Sequence, residues 1–130
     1  MQAKTFTLQE ARAALPRVKS LMRLAQEARR EIVRLRPEAW PALRGAASNG
    51  GNHAAGELVL QFEQLESGIK GIAAMGILVK DVDTGLIDFL GKRDERDVYL
   101  CWRYDEEDIG FWHEIDGGVA GRRPIDERIR

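Results

Sequence analysis

The sequence predicts a single α+β domain, in which a long antiparallel two-helix hairpin packs on a small antiparallel sheet of about four strands. Three observations support this prediction. The 130 residues, 44% of them hydrophobic, suffice for one core. Apolar residues recur every three or four positions before residue 76 and every second position after it. Helices that precede strands in this way usually cover one face of the sheet.

The first helix is predicted over residues 7–36. Thr7 and Glu10 have the spacing of a capping box, in which each side chain binds a free backbone amide at a helix start. Pro16 lies inside the pattern, where we expect a kink rather than a new helix. A stripe at heptad spacing, interrupted at Arg29, consists of Leu8, Ala11, Leu15, Val18, Met22, Ala25 and Ile32. At about 45 Å, such a helix exceeds a small domain and should find a partner.

A loop over residues 37–53 and a second helix over residues 54–75 are predicted next. The loop segment carries two prolines and three glycines and has no sustained period. The apolar arc of the second helix consists of Leu58, Phe62, Leu65, Ile69 and Ile72. Gly68 and Gly71 within this helix indicate either a close backbone approach or early fraying. We expect the two helices to be antiparallel.

Two β-hairpins are predicted over residues 77–116, followed by a tail over residues 117–130. A three-residue loop ending at Gly85 sets Lys80 opposite Asp88, which predicts a cross-strand ion pair. The segment GKRDERD is interpreted as a charged loop that leads to the second hairpin.

The faces of the second hairpin depend on the parity of its DEED turn. A two- or four-residue loop places Leu100, Trp102 and His113 together on a core-like face. A three-residue loop brings Cys101 opposite His113 instead. The sequence leaves both alternatives open.

Charge and hydropathy exclude several classes of protein. The net charge of -1 gives no reason to expect nucleic acid as a partner. The longest apolar stretch has eight residues, 72–79, so no membrane span is expected, and the polar N-terminus predicts a cytoplasmic protein. Residues 1–44 nevertheless carry a net charge of +6 and residues 45–130 a net charge of -7. Either the basic helix lies on an acidic part of the fold or of a second copy, or it docks on an acidic ligand.

Five segments in order carry a family resemblance: KTFTLQEARAALPRV, the NGG of the loop, VKDVDTGLIDF, VYLCWRYDE and FWHEIDGGVAGRRPI. Over residues 4–125 the chain resembles the prokaryotic proteins grouped as domain of unknown function 2203. The resemblance implies a small, bacterial, intracellular protein, and it supplies no activity, cofactor or substrate.

Candidate ligand-binding residues come from the polar and aromatic face of the predicted sheet and from the tail. They are Asp88, Trp102, Arg103, His113 and Arg122. The glycines before Arg122 are compatible with a site for a small anion, although a mobile, structureless tail is the more typical interpretation of such a composition. A metal ion would draw on Cys101, His113, Asp88 and Glu114, but no pair has a diagnostic spacing, so no metal site is predicted. A thiol between Leu100 and Trp102 is more typical of an inert buried cysteine than of a nucleophile.

Two hypotheses of function follow. The first is a non-catalytic interaction module that forms a homo-oligomer through its long helices, with a further protein as an additional partner. The second is a small-molecule or anion binder, or an enzyme, with a pocket between the sheet and the long loop. No catalytic residue or cofactor is assigned. Convergence of the candidate side chains would favour the second hypothesis.

Overall fold

The computed structural model describes residues 4–44 and 53–130. Its elements are, in chain order, α1 (Leu8–Arg44), α2 (His53–Ala74), β1 (Leu78–Asp81), β2 (Leu86–Arg93), β3 (Arg96–Trp102), β4 (Phe111–Glu114), a 3₁₀ turn (Val119–Gly121) and β5 (Arg123–Pro124). The predicted α+β fold is confirmed, with five strands instead of about four. Among these residues, no helix combines the length and the apolar character needed to cross a bilayer.

The capping box opens α1 as predicted. The amide of Thr7 donates to Glu10 Oε1 at 2.9 Å, and the amide of Glu10 donates to Thr7 Oγ1 at 3.0 Å. The helix continues through Pro16 without a break. At the gap in the stripe, Ala28 is buried, while the Arg29 guanidinium reaches Asp83 at 2.7 Å. Part of the basic helix therefore lies on an acidic part of the same fold.

The predicted end of α1 at residue 36 is wrong, since the helix runs to Arg44. Pro37 removes only the hydrogen bond to the carbonyl of residue 33, and Val33 is exposed, so water can satisfy that carbonyl. Packing of the preceding turn on α2 supports the helix at this point, because Ile32 and Leu35 form a small apolar cluster with Leu58. Residues 45–52 of the predicted loop lie outside the described residues.

The two helices lie close together at Gly68. A Cβ atom there would lie 2.7 Å from the Leu21 carbonyl oxygen and 2.9 Å from the Ala25 Cβ. Of the two alternatives for this glycine, close backbone approach is therefore the correct one. The absence of a side chain lets α2 lie directly on α1.

The five strands form an antiparallel sheet in the order β1-β2-β3-β4-β5. Gly85 has the left-handed conformation (φ 68°) expected of the first turn. The predicted pair of Lys80 with Asp88 is wrong for two reasons. Asp81 instead of Val82 pairs with Leu86, and a bulge between Val79 and Asp81 shifts the register further, so that Leu78 lies opposite Asp88.

The second half of the sheet differs from the prediction in two ways. The segment interpreted as a charged loop forms strand on both sides of a tight turn at Asp94, so β2 and β3 pair along their whole lengths. The tail is also ordered, since Arg123 and Pro124 pair with β4. The tail therefore supplies the fifth strand, whereas the former loop segment lengthens β2 and β3.

The register of β3 and β4 places Cys101 and His113 on the same face, as the three-residue alternative did, but the direct pairing of Cys101 with His113 expected from that alternative is wrong. Tyr99 lies opposite His113, and Cys101 lies opposite Phe111. Eight residues, 103–110, separate the strands, so a longer connection replaces the tight DEED turn. As a result, Cys101 and His113 share one face of the sheet, and Trp112 joins Trp102 in the core beneath the helices.

Candidate metal centre on the outer face of the sheet

Three polar side chains meet at the middle of three neighbouring strands. Asp88 of β2 lies opposite Cys101 of β3, and His113 of β4 lies on the same face one pair further along. Their chain neighbours, among them Phe89 and Trp102, belong to the core under the helices. Because side chains alternate along a strand, the three polar groups lie on the outer face of the sheet, away from the helices.

The three side chains are nevertheless almost fully buried. The exposed fractions are 2% for Asp88, 1% for Cys101 and 4% for His113. One ligand atom of each lies within 4.8 Å of those of the other two. Buried polar groups at such a distance from one another need hydrogen bonds, protons or a cation to compensate for the loss of water.

The hydrogen bonds of His113 define the tautomer and the orientation of its imidazole ring. Nδ1 lies 2.7 Å from the carbonyl oxygen of Glu114, and a carbonyl can only accept, so Nδ1 carries a proton and donates. Nε2 lies 3.1 Å from both Asp88 carboxylate oxygens. A lone pair on Nε2 would face the lone pairs of an ionised carboxylate. Either a proton or a cation must therefore lie between His113 and Asp88.

Cys101 completes the cluster as a neutral thiol. Burial, and then the neighbouring Asp88 carboxylate, raise the pKa of the Cys101 thiol to about 12. A nucleophilic cysteine requires the opposite shift and a base that accepts its proton. Since His113 directs Nε2 toward Asp88 and Nδ1 toward a carbonyl, the arrangement does not match a cysteine–histidine catalytic pair.

Arg122 borders the cluster on the side of Cys101. Its Nη2 donates to the Cys101 carbonyl at 3.2 Å and to Glu106 Oε1 at 2.6 Å. Its guanidinium carbon lies 4.2 Å from the centre of the Phe111 ring. Burial would lower the pKa of Arg122, but the hydrogen bond with Glu106 and the charges nearby raise it, so the side chain is a permanent cation.

The other sequence candidates lie elsewhere. Trp102 is in the core on the opposite face, where its Nε1 donates to the Glu106 carbonyl at 3.0 Å. Arg103 lines a separate depression with Tyr104 and pairs with Asp105 at 3.4 Å. Trp102 is thus on the face opposite Asp88 and His113, and the depression lined by Arg103 does not include those two residues. The predicted pocket between sheet and loop involves residues outside the described part of the chain.

The backbone carbonyl of Glu114 and the carboxylate of Glu106 were not predicted as parts of a site. The Glu114 carboxylate, which was considered above as a possible metal ligand, pairs with Arg96 at 2.7 Å. The backbone carbonyl of Glu114 orients the ring of His113. Glu106, the partner of Arg122, appears in the sequence only as one acid of an acidic turn. The spacing of residue types carries no signal for a backbone carbonyl, although an acidic turn near a buried arginine could have indicated Glu106.

Comparison with known proteins gives one result. Neither the curated proteins nor the solved structures contain a significant match to this chain. A family profile, described as an uncharacterised conserved protein, matches residues 4–125, which is nearly the whole chain. The chain therefore belongs to the family DUF2203, as the resemblance of its five segments implied.

Proposed function

We propose that the protein binds a divalent transition-metal ion through Asp88, Cys101 and His113. The observation that carries this proposal is the Nε2 atom of His113, which lies 3.1 Å from both carboxylate oxygens while its Nδ1 donates to a carbonyl. A histidine that binds a metal commonly donates its other ring nitrogen to a backbone carbonyl in this way. The proposal departs from the sequence-based expectation of no metal site.

The donor set favours zinc or a chemically similar ion. Thiolate, imidazole and carboxylate together suit Zn²⁺, which they bind at about 2.0 to 2.3 Å. Ligand atoms in a tetrahedral site of that size lie about 3.3 to 3.6 Å apart, so the 3.1 Å contact and the 4.8 Å limit of the cluster need only small adjustments. Two anionic ligands and one neutral imidazole also make the buried cluster electrically neutral around a divalent ion.

A bound ion would convert the neutral Cys101 thiol into a thiolate ligand. A thiol that coordinates a metal would release its proton to solvent, even where burial otherwise keeps it neutral. Three protein ligands leave one coordination position open, which is typical of zinc sites that bind an exchangeable ligand. We therefore propose a ligand-binding metal centre and assign no reaction to it.

The experiment is a metal titration of the full chain without an affinity tag. Metal-free protein should take up one equivalent of Zn²⁺ by calorimetry, and Co²⁺ should produce visible bands with a thiolate charge-transfer absorption. Cys101→Ser should lose that absorption. His113→Gln should weaken binding by more than about tenfold.

The second histidine offers a matched control. His53 is exposed at the start of α2, far along the chain from the cluster, so His53→Gln should bind metal as the original protein does. A cobalt spectrum without a thiolate absorption, or equal binding by His113→Gln and His53→Gln, would contradict the metal centre.

A homo-oligomeric interaction module is the second candidate function. It is supported by a groove of about 380 Å³ between the helices, lined by Ile32, Leu58 and Leu65 and flanked by the exposed apolar side chains of Val33 and Phe62. Exposed apolar surface of this kind commonly marks an interaction site. We propose that a second copy of the chain covers it and that each hairpin inserts apolar side chains into the other's groove.

Sedimentation at micromolar concentration tests this second candidate. The original chain should form a dimer, and Phe62→Glu should convert it to a monomer with unchanged helix content. Glu66→Gln, on an exposed turn of the same helix, serves as control because it should leave the dimer intact. A strict monomer would remove this candidate without affecting the metal centre.

The cellular setting belongs to the proposal as well. We place the protein in the cytoplasm of a bacterium, where a free thiol stays reduced and available to a metal. A further protein partner remains part of the second candidate only.

A further inference from the structure

Arg122 is the one candidate residue whose position next to the cluster the metal proposal leaves unexplained. Its side chain is 10% exposed, and it is held from three sides by the Cys101 carbonyl, the Glu106 carboxylate and the Phe111 ring. An arginine fixed in this way presents a planar set of donors with little loss of side-chain entropy on binding. The site therefore has a preorganised cation beside its thiol ligand.

The guanidinium has a donor that these contacts do not use. Nη2 makes both hydrogen bonds, whereas Nε is buried and has no hydrogen-bond partner among the described residues. Buried donors are normally satisfied, and the exceptions often lie where a ligand or an ordered water binds. An acceptor atom brought by a ligand would satisfy Nε.

Charge limits what that ligand can be. The proposed metal, with Asp88 and Cys101, is neutral, and Arg122 is already paired with Glu106. A ligand with a single negative charge adds little to the desolvation cost, whereas a doubly charged phosphate adds more. A carboxylate is also planar, so one oxygen can bind a metal while the other accepts from a guanidinium nitrogen.

We infer that Arg122 and the open coordination position of the metal together form a binding site for a small monocarboxylate. The inference rests on the proposed metal centre and adds the chemical class of its exchangeable ligand. Arg122 acts as a positioning residue, since it binds the ligand's second oxygen and is not itself a metal ligand.

The test uses the cobalt-loaded full chain, titrated with acetate and with formate at constant ionic strength. Both should shift the visible cobalt bands to a saturable end point. Arg122→Met should weaken the acetate response by about tenfold or more while the affinity for Co²⁺ stays within a few-fold of the original. Arg123→Met removes the same charge from the exposed neighbouring residue, so it should respond to acetate as the original protein does.

A conservative variant covers the case in which loss of the buried Arg122 pair prevents folding. Arg122→Lys keeps the positive charge but removes the planar donors, and it should fold, bind Co²⁺ and show weakened acetate binding. If circular dichroism shows that Arg122→Met does not fold, the acetate titration of Arg122→Lys decides whether the inference holds.

Each failure has a distinct meaning. If no Co²⁺ binds, both the metal centre and the inference are wrong. If Co²⁺ binds with its thiolate absorption and acetate changes nothing, or if Arg122→Lys responds to acetate as the original does, only the inference is wrong. Inorganic phosphate that binds more tightly than acetate would overturn the assignment of a monocarboxylate.

Discussion

The two faces of the sheet are buried in different ways. The inner face carries apolar side chains, among them Phe89, Leu100 and Trp102, beneath the two helices. Neither α1 nor α2 covers the outer face within residues 4–44 and 53–130, yet Asp88 and His113 on it are as inaccessible as the core. Burial of apolar residues stabilises a fold by itself, whereas burial of a carboxylate beside an imidazole does so only when their charges are compensated. Stability of the fold alone therefore does not explain the buried polar cluster on the outer face.

The largest expected effect belongs to the inner face. Phe89→Ala leaves a cavity next to Phe6, whose ring centre lies 5.2 Å away, and should lower the free energy of unfolding by about 4 kcal/mol. Urea denaturation of the metal-free protein measures it. A decrease in the free energy of unfolding of less than about 1 kcal/mol would show that the helices do not cover this face as described.

The thiol on the outer face should be nearly unreactive. With its pKa raised by burial to about 12 from 9.0, the native metal-free protein contains about a thousandfold less thiolate at pH 8 than the unfolded chain. The native protein should react with iodoacetamide more slowly than the protein in urea by about that factor. Its alkylation rate should keep rising with pH well above 9. Equal rates in the native and unfolded states would contradict the buried position of Cys101.

A smaller effect is expected for Asp88→Asn. The substitution keeps the shape of the side chain but removes the charge that faces His113, so metal-free protein should lose about 2 kcal/mol of stability. It should also abolish the rise in melting temperature that Zn²⁺ causes by binding to the native state. Asp97→Asn, an exposed carboxylate on β3, is the control. Stabilisation by Zn²⁺ that is equal in both variants would exclude Asp88 as a ligand.

The smallest effect is expected for Glu114→Gln. The carboxylate pairs with Arg96 where both side chains are at least one-third exposed, so its loss should cost less than about 1 kcal/mol. Metal affinity should not change, because the backbone carbonyl that holds His113 remains. A large loss of metal affinity in this variant, measured by calorimetry, would show that the Glu114 side chain takes part in the centre.

Most of the fold was predictable because its signals are local. The capping box at Thr7 and the left-handed Gly85 depend on a few neighbouring residues, and both form as predicted. The helix stripe was correct up to Ile32. The end of α1 was not, because packing of Leu35 against α2 outweighs the local effect of Pro37.

The candidate site was predictable only in part. Asp88, His113 and Arg122 were identified as candidates, and of these Asp88 and His113 are in direct contact, whereas Arg122 binds the carbonyl of the neighbouring Cys101. Trp102 was assigned to the same site because the parity of β3 and β4 was open, and Lys80 was paired with Asp88 because the bulge carries no clear local signal. Both errors concern the register of the strands and not the types of residue chosen.

Periodicity and turn residues in this chain determine two helices and antiparallel strands. Membership of the DUF2203 family follows from five sequence segments and the matching family profile. Only the folded sheet decides which side chains share a face. A shift of one residue in register turns every side chain of a strand to the other side. The β2–β3 register and the eight-residue β3–β4 connection are therefore what bring Asp88, Cys101 and His113 together, and both depend on pairing between separate strands.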